Sequence, residues 1–109
     1  SLCLVENLLY ASYDYEIDWS LSGKPFLTES SDFIGIVSNS VEQIVGTKPS
    51  LSTAGGTSDG RFVAPTGAEV VELGPSNETI HKINECVRLN DIDKLSEIYE
   101  KILIAINEK

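Results

Sequence analysis

The sequence predicts an α/β chain, and three observations carry that expectation. Apolar residues recur at helical spacing in three windows. Two short segments have the character of strands, one alternating and one continuously apolar. Helix, strand, helix and strand then succeed one another along the chain, which is the order of a helix-covered sheet. With 109 residues and 41% hydrophobic content, the chain can form one domain with a modest core. No internal repeat is visible.

Leu2, Val5, Leu8 and Leu9 have the spacing of a short helix over residues 2–11. The next segment, "DYEIDWS", alternates: Tyr15, Ile17 and Trp19 share one side, and Asp14, Glu16 and Asp18 the other. This predicts a strand with one wet face. Nothing before it completes a sheet, so the first twenty residues look orphaned and the strand is expected to be an insecure edge. Gly23 and Pro25 in "SGKPF" mark a boundary. A helix is expected over 31–45, capped by Ser30 or Ser31, with Phe33, Val37, Val41, Ile44 and Val45 on its apolar side and Gly46 at its end. A short extended piece follows near Leu51. "GGTSDGRFVAPTG" reads as turn, short helix and turn, and "AEVVEL" as a buried strand, central at 69–73. The last helix, 91–107, should begin after Asn90 as cap, with Asp93 as its partner. Ile92, Leu95, Tyr99, Ile102, Leu103 and Ile106 make its stripe and should cover the central strand.

The net charge of −9 argues against nucleic acid as a partner, because phosphate backbones attract clustered Lys and Arg. No run of 18 apolar residues predicts a membrane span. The apolar start lacks the basic flank of a signal peptide, so a cytoplasmic location is expected. The first residue is not Met, which suggests processing or a fragment. Cys3 and Cys86 lie far apart in no metal-ligand pattern and read as reduced thiols. Asn77-Glu78-Thr79 matches the N-glycosylation pattern, here taken as accidental.

The densest turn signal is Gly55-Gly56-Thr57-Ser58-Asp59-Gly60. Paired glycines permit positive backbone angles and close approach, and N–H groups at a turn entering a helix form an anion or oxyanion site. The Gly-Lys-Ser/Thr ending of a P-loop is absent; a plain turn is the competing reading. Arg61 suits a carboxylate, or else pairs with Asp59 or a glutamate. His81, the single histidine, follows the strand stop at Gly74-Pro75, where α/β proteins present functional side chains. It could ligate a metal, act as a base or fill a polar pocket. Alone it cannot build a zinc site. Glu69, Glu72, Glu78 and Glu85 have no partner at a spacing that defines acid–base work. Asn77 could donate to a substrate oxygen or cap the preceding turn.

Taken together, "SGKPFLT", "GGTSDGRF", "PTGAEVVELGPSNETIHKINECV" and the closing amphipathic helix closely resemble the carboxy-terminal segment of the succinyl-diaminopimelate desuccinylases, in the dinuclear zinc aminoacylase/carboxypeptidase group. The resemblance covers nearly the whole chain. It implies a zinc-peptidase-like catalytic domain interrupted by an inserted dimerisation (lid) domain. Residues 1–21 would be the terminal helix and strand of the inserted domain, and 22–109 the carboxy-terminal part of the catalytic domain. By the same resemblance, His81 is a ligand of one of two zinc ions (cobalt being an alternative metal). Gly56 and Thr57 line the substrate pocket, Ser58 and Arg61 share that wall, and Asn77 lies near the metal-bound end of the substrate. The implied reaction is hydrolysis of N-succinyl-LL-2,6-diaminopimelate in a homodimeric enzyme. The segment carrying the remaining zinc ligands and the general base has no counterpart here, so the chain alone is expected to be inactive. A related aminoacylase or metallopeptidase, and a non-catalytic self-associating remnant, are the competing readings.

Overall fold

The computed structural model describes residues 14–21, 23–56 and 58–109. The helix expected over 2–11, together with Cys3 and Thr57, lies outside the described residues.

Helix α1 spans Asp32–Val45. Ser31 is its N-cap, in extended conformation, and its hydroxyl accepts from the Ile34 N–H at 3.3 Å, satisfying one of the donors that a helix start leaves open. Gly46 ends the helix at φ +82°, and its N–H bonds the Glu42 carbonyl at 2.8 Å. A residue with a Cβ is strained there. Helix α2 is a single turn, Gly60–Val63, continued by a 3-10 turn over Ala64–Thr66 and closed by Gly67 at φ +91°. This is the turn, short helix and turn expected from the sequence. Helix α3 spans Leu89–Asn107. It starts earlier than expected: Arg88 occupies the cap position without a side-chain cap bond, and Asn90 lies inside the first turn.

The core forms where α1 meets α3. Val37 and Val41 of α1 and Ile98 and Ile102 of α3 are buried, with Phe33, Ile36, Ile44, Val71 and Leu73 packed around them. Ser40 is also buried, and its hydroxyl donates to the Ile36 carbonyl at 2.8 Å. A buried hydroxyl bonded to its own helix carries little penalty. The stripe expected on α3 is displaced. Ile98, absent from it, is the most buried of the four, whereas Ile92, Tyr99, Leu103 and Ile106 remain exposed.

The expected sheet is not formed among the described residues. Segments 14–20 and 69–73 are without strand or helix assignment and have no ladder partner among those residues. The reason is physical: a strand needs a neighbouring backbone to saturate its N–H and C=O groups. Segment 69–73 is instead tied by side chains. Thr28 donates its hydroxyl to the Val70 carbonyl, and Tyr99 donates to the Leu73 carbonyl at 2.7 Å. Val70 and Val71 are both half-buried, and α3 does cover this segment through Tyr99. No helix of the described residues is long and apolar enough to cross a membrane.

Candidate functional site

The sequence-derived residues fall into two parts, each held by its own contacts. The first is the turn entering α2. Gly55 has φ +130°, as a tight turn requires, but nothing packs within 4 Å of the position a Cβ would take on Gly55 or Gly56. The close approach sits at Gly60 instead. A Cβ there would lie 2.9 Å from the Phe26 ring, 3.0 Å from the Ser58 hydroxyl and 3.0 Å from Val70. Sequence reading counted Gly60 only as turn composition; its packing against Phe26 and Val70 has no local signature.

Ser58 is committed within the chain. Its hydroxyl donates to the Glu72 carboxylate and accepts from the Gly60 N–H at 3.1 Å. It therefore joins the turn to the 69–73 segment, and Glu72 gains the partner that spacing did not reveal. Arg61 lies half-buried with its guanidinium 4.7 Å from the Phe62 ring centroid. Its aliphatic stem fills the space over Gly23, where a Cβ would meet the arginine Cδ at 2.7 Å. Gly23, expected as a boundary, is thus also the floor under Arg61.

The second part is the loop over 77–86. The Ile80 N–H bonds the Asn77 carbonyl at 3.1 Å, and the Lys82 N–H bonds the Thr79 carbonyl at 3.0 Å. The Lys82 ammonium donates to the Glu78 carbonyl at 2.6 Å. The Thr79 hydroxyl donates to the Cys86 carbonyl at 2.8 Å and accepts from the Cys86 N–H at 3.0 Å, which closes the loop. His81 sits on this loop, exposed, at φ +59°; Asn84 follows at φ +60°. Left-handed backbone is uncommon for residues other than glycine, though His and Asn tolerate it best. Asn77 is exposed too. Sequence reading missed the Thr79–Cys86 closure; the one available signal was a hydroxyl residue beside a run of turn formers.

The donor chemistry tests the fit to zinc. His81 offers one imidazole nitrogen on an exposed loop, which suits a single position in a coordination sphere. Among the described residues no three His, Cys, Asp or Glu side chains gather around a common point. They therefore do not make a zinc centre unaided, and further ligands would have to be supplied from elsewhere. Among the depressions lined by described residues, one of about 290 Å³ lies beside Ser40 and Ile104 and another of about 480 Å³ beside Phe33 and Ile106. Neither is lined by His81, Ser58, Arg61 or Asn77.

Residues 3–105 match Peptidase family M20/M25/M40. The chain belongs to this family. Membership points to a zinc-peptidase-like fold, of which this chain is a part, and to a family in which metal dependence is the rule. Three relatives share the name succinyl-diaminopimelate desuccinylase. The protein of Marinobacter nauticus is 55% identical over 92 residues, 84% of this chain and 24% of the relative. That of Pseudoalteromonas atlantica is 55% identical over 91 residues, again 84% and 24%. That of Nitrosococcus oceani is 59% identical over 98 residues, 90% and 26%. This M20 chain thus spans about a quarter of the length of the curated relatives it matches.

Proposed function

We propose that this chain is the carboxy-terminal part of a zinc-dependent succinyl-diaminopimelate desuccinylase. The reaction adds water across the succinyl amide of N-succinyl-LL-2,6-diaminopimelate. The C–N bond breaks, succinate leaves as carboxylate and LL-2,6-diaminopimelate keeps the amine. The carrying observation is identity of 55–59% to three proteins of that name over 84–90% of this chain. Such an enzyme serves lysine and peptidoglycan precursor synthesis in the cytoplasm.

In this reading residues 22–109 complete a catalytic domain, and residues 1–21 end an inserted dimerisation domain that pairs two copies. Bound zinc would polarise the amide carbonyl and lower the pKa of a water. This chain's share of the work is to bind and orient. His81 would supply an imidazole nitrogen to one of two metal ions. Gly56, Thr57, Arg61 and Asn77 would bind a substrate rich in carboxylates, for which guanidinium and backbone N–H groups are suited donors. The Ser58 hydroxyl is engaged with Glu72 and Gly60, so its part in that wall is to fix the turn.

The test is succinate release from N-succinyl-LL-2,6-diaminopimelate with zinc added. The 109-residue chain should show none, and a full-length enzyme carrying it should turn over. In that enzyme His81→Ala should lose more than the about 10–100-fold typical of outer-sphere changes, with one zinc bound more weakly. Faster hydrolysis of another N-acyl amino acid would favour an aminoacylase instead. Chelator-sensitive turnover by the chain alone, or normal turnover in His81→Ala, would overturn the assignment.

A further inference from the structure

The loop that carries His81 is closed by one side chain. Thr79 is half-buried, while residues 80–88 are all exposed. Its hydroxyl engages both backbone groups of Cys86, donating to the carbonyl at 2.8 Å and accepting from the N–H at 3.0 Å. It thereby does for a loop what a facing strand does for a ladder pair. Resting on the reading of His81 as a zinc ligand, we infer that Thr79 is the positioning residue for that ligand.

Among the described residues, no hydrogen bond holds the His81 side chain, so what the backbone fixes is the Cα–Cβ bond from which the imidazole starts. That backbone lies at φ +59°, with Asn84 at φ +60°. Unfavourable angles of this kind persist only where surrounding contacts over-determine them. Inside the loop, the Ile80-to-Asn77 and Lys82-to-Thr79 bonds shape its first half. The contacts that reach from this half to Cys86, a long one to its sulfur included, all involve the Thr79 hydroxyl. Without that hydroxyl the two left-handed residues can relax to negative φ. The His81 Cα–Cβ bond then swings away from the direction it now has. Because the loop is exposed, water can replace the lost bonds, so the rest of the fold should be indifferent to the change.

Thr79→Val keeps the side-chain shape and removes the hydroxyl; Thr79→Ser keeps the hydroxyl and removes a methyl group. Amide exchange of the Cys86 N–H, followed by NMR in the 109-residue chain, should be slow in wild type and Thr79→Ser and fast in Thr79→Val, with α1 and α3 unchanged in all three. In the full-length enzyme, competition with a chelator should show the weaker zinc bound about 10–100-fold less tightly in Thr79→Val, and restored in Thr79→Ser. Loss of Cys86 protection with zinc affinity unchanged would overturn the inference, as would a Thr79→Ser variant as weak as Thr79→Val. His81→Ala, run in parallel, separates the two levels. Zinc affinity unchanged in His81→Ala would remove the ligand reading itself, whereas affinity lost there but kept in Thr79→Val would remove only the role of Thr79.

Discussion

Truncation of Ile98 tests the packing between α1 and α3, with Leu103 on the same helix as its control. Ile98 is 4% exposed and Leu103 is 68% exposed. Buried Ile-to-Ala changes cost about 2–5 kcal/mol, less where neighbours collapse into the space. Phe33, Ile36, Ile44, Val71 and Leu73 around this core are only partly buried and can move inward. Ile98→Ala should therefore cost about 2–3 kcal/mol. For Leu103 only about a third of a full burial of about 1.5–3 kcal/mol is at stake, and alanine's helix propensity returns a few tenths. Leu103→Ala should therefore cost about 0.5 kcal/mol.

Urea unfolding followed by ellipticity at the helix band separates the two. With a slope near about 1 kcal/mol/M for a chain this small, the midpoint should fall by about 2–3 M for Ile98→Ala and about 0.5 M for Leu103→Ala. Equal losses would refute the reasoning, because they would mean that the Leu103 face is covered as deeply as the Ile98 face. A midpoint rising with protein concentration would then identify a second copy of the chain as the cover.

Ser31→Ala removes the acceptor for the Ile34 N–H and should lower stability by about 1 kcal/mol, with exchange faster in the first turn of α1; unchanged exchange there would refute the cap. Gly46→Ala places a Cβ at φ +82° and should cost about 1 kcal/mol, read as a lower melting temperature; an unchanged or higher one would contradict it. Tyr99→Phe deletes the bond to the Leu73 carbonyl at a cost of about 1 kcal/mol, and should shift the backbone resonances of 69–73 while leaving α1 alone. If the 69–73 resonances stay put, Tyr99 does not hold that segment.

Helix α1 was legible because every local cue agreed: a serine cap, one apolar face and a terminal glycine. Helix α3 was legible in extent but not in orientation. Its second half holds Ile98, Tyr99, Ile102, Leu103, Ile104 and Ile106, too many apolar residues for one face. Periodicity alone then cannot choose between neighbouring faces, and packing against Val37 and Val41 makes the choice. The strands were legible only as extended chain. "AEVVEL" has strand composition, but a ladder is a property of two backbones, and one segment's sequence does not contain its neighbour.

The site shows where local rules and function part company. Positive backbone angles at Gly46, Gly55 and Gly67 follow from composition, since glycine pays no Cβ penalty there. The same angles at His81 and Asn84 are less common, although His and Asn are among the residues that tolerate them best. A chain free to choose would put glycine at such positions; this one keeps an imidazole at φ +59° and closes the loop around it with Thr79. Such angles cost a residue with a Cβ more than they cost glycine. Replacing His81 by glycine should relieve the angle and leave the 79–86 closure intact. Any stability gained would measure the cost of a Cβ at φ +59°.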